Sequence, residues 1–203
     1  MRSIILASKS KVREEILKKN GVECIIKPSN VDEEPVKKSL LGIGATPEIV
    51  SKNLAELKAN KISQQNQDIL VLGADSVIDI DGELISKPTN REEALNILKK
   101  LNGKTHLLIS SVCISKNGLM IWNYTDKAFL KMKKFSDDEL QIYLNKISDE
   151  ALYSYNVYQI EGEGRSLFLK IEGDEDTVMG LPIKKILEYL DCLLYTSDAA
   201  DDV

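Results

Sequence analysis

The sequence predicts an α/β fold: a mixed, twisted sheet flanked by helices. Two observations predict it. Short β-branched runs such as "SIILA", "ECIIKPS" and "DILVLGADSVI" alternate with stretches that carry helix caps and helical spacing. Farther on, two long alternating runs follow each other with no helix between them, which calls for antiparallel pairing beside the parallel strands. At 203 residues the chain can bury a sizeable core.

The elements follow in order. "SIILA" reads as a buried strand feeding a helix over Lys11 to Lys19, with Lys18, Lys19, Asn20 and Gly21 as a cationic last turn and stop. "ECIIKPS" reads as the next strand, ending near the acidic stretch "NVDEEP". "ATPEIVSKNLAELKANKIS" reads as a helix capped by Thr46, with Pro47 at its first position and an apolar face of Ile49, Leu54 and Leu57. "DILVLGADSVIDI" and "GELIS" form a hairpin at Asp81-Gly82, the usual two-residue turn signal. "TNREEALNILKKLNG" carries a capping box, Thr89 with Glu92, and stops near Gly103. "THLLISSVCIS" and "GLMIWNYTDKAFLKMKKF" are paired strands, and "SDDELQIYLNKI" carries a second box, Ser136 with Glu139. "NVYQIEGEGRSLFLKIEGDED" reads as a glycine-punctuated hairpin, and "LPIKKILEYL" as the final helix. No repeat or linker interrupts the chain, so residues 1–190 read as a single domain. The closing "DCLLYTSDAADDV" loses the periodicity, and residues 191–203 are expected to be a disordered or non-native tail.

Composition narrows the chemistry. Hydrophobic residues make up 43% and charged residues 29%, and a net charge of -5 argues against a general nucleic-acid or membrane-surface binder. No apolar run approaches the roughly 18 residues of a membrane span, and "IILA" is too short for a secretory core, so a cytoplasmic location is expected. Cys24, Cys113 and Cys192 are widely spaced without a CxxC pair, which indicates neither a disulfide framework nor a zinc site. His106 is the single histidine, so chemistry must lean on carboxylates and lysines.

The stretch "LASKSKVREEI" places Lys9, Lys11 and Arg13 at the positive end of a helix, where like charges cost a few tenths of a kcal/mol each. One reading is that they are solvated. The other is that an anion sits there, with helix N–H groups, Ser8, Ser10 and a converging guanidinium as a phosphate cradle.

Asp75 is the most informative carboxylate, because Asp is depleted in strands and this one interrupts an apolar run just after Gly73. It reads either as a structural bulge residue or as a reactive group. Glu33 in "VDEEP" follows a strand and can reach the same sheet end, or is simply a solvated acid in a loop. Lys58 lies about one turn beyond Leu54, near the helix's apolar face, and Lys87 precedes Pro88 at a strand exit; singly, each also reads as a surface lysine. His106 favours a structural hydrogen bond over catalysis. Tyr153, Tyr155 and Tyr158 read as packing residues, one of them suited to stacking on a base.

Taken together, "LASKSKVR", "LAELKA", "GADSVI", "ISKP", "LNGKTH" and "VMGLP" occur in one order. The sequence resembles the Maf family of nucleoside triphosphate pyrophosphatases, whose pattern runs ASxSPRR, LAxxKA, GADT, a lysine-proline step, LSGxxH, a GxYxIQG-like segment and MGLP. The resemblance spans residues 3 to 190. It implies a mixed-sheet fold like that of inosine triphosphate pyrophosphatases, with two lobes around a cleft, and a homodimer. It implies that Ser8, Ser10, Arg13, Lys58 and Lys87 bind the substrate's phosphates, that Glu33 is an acidic site residue and that Asp75 is the catalytic base. Carboxylates without histidine suit Mg²⁺ or Mn²⁺, held by Glu33 and Asp75, and Asp75 can bind the metal, activate the attacking water, or both. The implied reaction is hydrolysis of a modified or non-standard nucleoside triphosphate to monophosphate and pyrophosphate, a house-cleaning activity. A nucleotide-binding regulator of cell division with little turnover is the alternative; an NAD-type oxidoreductase is excluded because no GxGxxG joins the first strand and helix.

Three departures from the pattern bear on base selection. Lys11 and Val12 replace the Pro-Arg of SPRR, Ser76 replaces the Thr of GADT, and Glu161 stands at the Gln of GxYxIQG. The thymidine and uridine triphosphate subgroup shows Arg, Thr and Gln there, and the 7-methylguanosine triphosphate subgroup a bulky residue, Gln and Glu; Val12, Ser76 and Glu161 match neither. An ionised Glu161 favours a base edge rich in N–H donors, such as guanine or its 7-methyl form. "YSYN" from Tyr153 replaces the family's lead-in to that segment, and its Asn156, unlike glycine, is not expected to permit close backbone approach.

Overall fold

The computed structural model describes residues 3–198. Strand β1 (Ser3–Leu6) leads to α1 (Lys11–Lys19), β2 (Glu23–Ile26), α2 (Glu33–Gly42) and α3 (Pro47–Ser63). Then come β3 (Val71–Ile80), β4 (Glu83–Ile85), α4 (Arg91–Leu101), β5 (Thr105–Lys116) and β6 (Leu119–Met132). Helices α5 (Asp137–Lys146) and α6 (Asp149–Tyr155), a 3-10 turn (Glu163–Leu167), β7 (Phe168–Glu172), α7 (Glu175–Val178) and α8 (Ile183–Asp198) complete the described chain.

The seven strands form one mixed sheet in the order β2-β1-β3-β5-β6-β7, with β4 paired to β3. Strand β1 is parallel to β2 and β3; every other pairing is antiparallel. Strands β3 and β5 are long enough to pass through two apolar cores. One gathers Ile4, Leu6, Leu17, Leu72, Ile114 and Ile186 from β1, α1, β3, β5 and α8. The other gathers Ile78, Leu98, Leu130, Leu140, Tyr158 and Phe168 from the far halves of the long strands, α4, α5 and the segments after α6. These are the two lobes, and the cleft lies between them. No helix among the described residues is long and apolar enough to cross a membrane.

Thr46 and Pro47 start α3, the β3–β4 turn falls at Asp81 and Gly82, and Ser136 with Glu139 forms a full capping box, as the residues predict. Five expectations need correction. The acidic stretch is the first turn of a helix, α2, because Glu33 and Glu34 favour the positive end of a helix dipole. The cap of α4 is Asn90, accepting from Glu93 N, while Thr89 donates to the Glu93 carboxylate, so the box slips by one residue. In α3, Ile49 and Leu57 are exposed, and the buried face is Val50, Leu54, Ala55, Lys58, Ala59 and Ile62. The glycine-rich hairpin is instead a turn followed by β7, which pairs with β6 rather than with its own neighbour. Finally, α8 continues past Leu190 to Asp198, and the rest of the expected tail lies outside the described residues.

The close approach of α3 explains Gly73. A methyl group there would lie 2.2 Å from the Ala55 carbonyl oxygen and 2.7 Å from the Ala59 nitrogen. Side chains alternate along a strand, so Asp75 shares the face of Gly73 and meets the same helix, its carbonyl accepting from Ser51 Oγ and its carboxylate from Lys58.

Candidate active site

A cleft of about 700 Å³ opens between the lobes, within the usual size of a nucleotide pocket. Ser8, Ser10, Val12, Arg13, Glu33, Lys58, Asp75, Ser76, Lys87 and Glu161 all line it. Residues scattered over most of the chain thus converge, because the β1–α1 loop, the start of α2, α3, the middle of β3, the loop after β4 and the segment after α6 all border the cleft.

At the centre the Lys58 ammonium bridges two carboxylates, 2.7 Å from Asp75 Oδ1 and 2.8 Å from Glu33 Oε1. Asp75 is 5% exposed, and its Oδ2 has no hydrogen-bond partner. A bare, buried carboxylate oxygen costs free energy unless something else takes it. Burial pushes the Glu33 carboxyl up, but the ammonium groups of Lys58, Lys37 and Lys87 together outweigh that and hold it below the ordinary range. Lys87 is open to the cleft, and its desolvating walls draw its pKa down against the pull of Glu33 and Asp75.

Arg13 is placed differently from a free phosphate ligand. Its Nε donates to the Gly180 carbonyl at 2.9 Å, one terminal nitrogen to Ala74 O at 3.0 Å and Ser8 Oγ at 3.2 Å, and the other to Ser76 Oγ at 3.0 Å. Four of its five donors are therefore spent inside the protein, leaving one N–H for a ligand. Burial lowers its pKa, partly offset by Asp75 and Glu33. Gly180 has φ +92°, and a Cβ there would come within 3.0 Å of Ser76 Oγ and 3.4 Å of the guanidinium. Ser10 caps α1 by accepting from Arg13 N, and Ser8 accepts from Ser10 N, so both hydroxyls shape the loop that lines the cleft. Lys9 and Lys11 lie exposed on the rim.

Ser76 also contacts Ser110 Oγ at 3.0 Å, and Ser110 donates to the Thr177 carbonyl. Glu161, with Glu150, Tyr153, Asn156 and Gln159, lines the second lobe's side of the cleft, and partial desolvation raises its carboxyl pKa. Tyr158 is buried, Tyr153 is partly exposed in the cleft, and the side chain of Tyr155 lies outside the described ones. Asn156 takes φ 72° and ψ -160°, a region essentially reserved for glycine, while its Oδ1 accepts from Val157 N. The glycine-type backbone is thus kept despite the side chain, at a cost. Asn156→Gly is expected to raise stability by about 1 kcal/mol, read as a shift in the denaturant midpoint; an unchanged midpoint would remove the strain from this position.

His106 is structural. It is 2% exposed at the start of β5, its Nε2 lies 2.8 Å from the Tyr158 hydroxyl, and Nδ1 has no partner. Burial lowers its pKa from 6.5 to about 4. The folded state therefore binds this proton less readily than the unfolded chain, so its contribution is fully present above pH 6.5 and lost as pH falls towards 4. Denaturation curves are expected to show a loss of about 3 kcal/mol over that window, absent in His106→Gln. Parallel pH slopes in the two proteins would overturn this.

The sequence pattern missed Lys37, which lines the cleft and lies 3.4 Å from Glu33 Oε2. The signal was present as an i,i+4 acid-lysine spacing, but only a helix brings such a pair together.

Residues 3–193 match the family described as Maf-like protein. A nucleoside triphosphate pyrophosphatase of Pelagibacter ubique is 68% identical over 190 residues, covering 94% of this chain and 97% of the relative. A 7-methyl-GTP pyrophosphatase of Brucella abortus is 37% identical over 187 residues, covering 92% and 94%. Among solved structures, a nucleoside-triphosphatase, dITP/XTP pyrophosphatase, from Mycobacterium abscessus is a looser likeness, at 12% identity and a TM-score of 0.46 over 99% of this chain and 98% of that one. With the match running through every segment that builds the cleft, the chain belongs to the Maf-like protein family.

Proposed function

We propose that the cleft binds a nucleoside triphosphate and hydrolyses it at the α-phosphorus, releasing monophosphate and pyrophosphate. The observation that carries this reading is the unpartnered Asp75 Oδ2, buried at the base of a cleft rich in cations. Lys58, Lys87 and the α1 N-terminal loop suit the phosphates, and most of the rate acceleration is expected from positioning and charge neutralisation. Attack by water forms a bond to the α-phosphorus, the bond to the α,β-bridging oxygen breaks, and pyrophosphate leaves with that oxygen. Asp75 Oδ2 is the site that receives the water's proton, and Asp75 would also be a ligand of a bound divalent ion.

Mg²⁺ or Mn²⁺ fits the donor set. Glu33 and Asp75 supply carboxylate oxygens, but among the described residues no group of three or more His, Cys, Asp or Glu converges, so such an ion needs the nucleotide's phosphate oxygens and waters to complete its shell. Bound there, it would neutralise phosphate charge.

At the base end, Glu161 favours an N–H donor edge, which agrees with the guanine-type substrate in the name of the Brucella abortus relative. The test is to incubate the full chain with Mg²⁺ or Mn²⁺ and a panel of ordinary, methylated and deaminated triphosphates, then identify products. Monophosphate plus pyrophosphate is expected. Diphosphate plus phosphate would place attack at the γ-phosphorus, and binding without turnover would favour a regulatory role, for which a bare buried carboxylate has no use.

A further inference from the structure

Lys37 has no part in the reading above, yet it is a lysine only 8% exposed on a helix at the edge of the cleft. Lysines are almost never so buried without a reason. Its ammonium donates to Glu34 Oε1 at 2.9 Å and lies 3.4 Å from Glu33 Oε2. The two partners differ: Glu33 sits inside the cleft, whereas the Glu34 side chain is 71% exposed.

Of the other cations around Glu33 and Asp75, Lys87 already opens to the cleft, whereas Arg13 and Lys58 are less free to move. Arg13 has four of its five donors committed to the protein. Lys58 is held between two carboxylates, and drawing it away would strip a buried Asp75 of its partner. Breaking a pair with a solvated glutamate is cheap by comparison, because water and salt already screen it. Lys37 is thus a cation that an entering polyanion can recruit at little cost while its contact with Glu33 is kept.

Resting on the pyrophosphatase reading, we propose that Lys37 is a pyrophosphate-binding residue, whose ammonium exchanges Glu34 for an oxygen of the leaving phosphates when substrate enters. The exchange conserves its hydrogen bonds and moves a positive charge onto the group where negative charge develops.

The experiment is a calorimetric titration of inorganic pyrophosphate into the full metal-free chain, with nucleoside monophosphate as a second probe. Lys37→Met is expected to weaken pyrophosphate binding about tenfold and leave monophosphate binding unchanged, with Lys37→Arg near the unaltered chain. Glu34→Gln, a surface change that does not depend on Lys37→Met folding well, is expected to tighten pyrophosphate binding about threefold by freeing the ammonium. In the double variant that gain disappears. Equal pyrophosphate affinity in Lys37→Met and the unaltered chain, equal losses for both probes, or a Glu34→Gln gain that persists without Lys37 would each overturn the proposal. The product assay separates this from the reading beneath it. Pyrophosphate release alongside any of those results removes only the role of Lys37, whereas no release removes both.

Discussion

Replacing Asp75 with Asn is expected to lower kcat by about 10²-fold to 10⁴-fold while leaving the fold intact. The substitution is nearly isosteric, and the amide oxygen can still accept from Lys58 at the Oδ1 position, 2.7 Å away in the native site. What it removes is the second carboxylate oxygen, the buried atom that has no partner within the protein. An amide nitrogen at that place can neither take a proton nor ligate a cation, so both roles open to Asp75 are lost together. Lys58 keeps Glu33 as a counter-ion, which limits the effect on stability. Single-turnover measurements with saturating substrate report the chemical step directly, and a variant with full kcat would dismiss Asp75 from catalysis.

Arg13→Lys is expected to cost about 4 kcal/mol of stability even without nucleotide. The guanidinium ties three segments that are far apart in the chain: the Ser8 loop, β3 at Ala74 and Ser76, and the loop at Gly180. A lysine offers one compact ammonium and cannot span a planar fork of four acceptors, so the Ala74 and Gly180 carbonyls would be left short of donors in a poorly solvated place. For a domain of this size such a loss corresponds to a fall in Tm on the order of 10 °C. A side chain whose work was confined to phosphate binding would leave the nucleotide-free Tm unchanged, and that result would sink the clamp. The three cations that make "LASKSKVREEI" look miscast at a helix start thus divide: Arg13 turns inward as a strut, while Lys9 and Lys11 stay on the rim.

The departures at Val12 and Ser76 acquire different meanings from their surroundings. Val12 lines the cleft and also packs against the first lobe's core, so its size bears on cleft shape. The Ser76 hydroxyl bonds Arg13 and Ser110, which couples it to the strut before it can act on a base.

By itself the sequence determined the strand-helix alternation, most of the helix boundaries and the identity of the groups that meet in the cleft. Those features are written in local rules: period-two and period-3.6 hydrophobicity, capping residues, an Asp-Gly turn, and an aspartate interrupting an apolar strand. Local rules also failed where a weak helix depended on its setting, as with α2, whose exposed Leu41 and neighbouring Ile43 give no clean apolar stripe. Only the tertiary structure decided that Lys58 is shared between Glu33 and Asp75, that Asp75 keeps one oxygen bare, that Arg13 spends its donors on the protein, and that Lys37 belongs to the site. Those facts rest on distances between residues remote in sequence, set by how closely α3 packs over Gly73 and by which carbonyls the loops turn towards Arg13. Charge and hydrogen bonding change steeply over an ångström, so the residue types name the chemistry available, and packing alone fixes which of them are free to perform it.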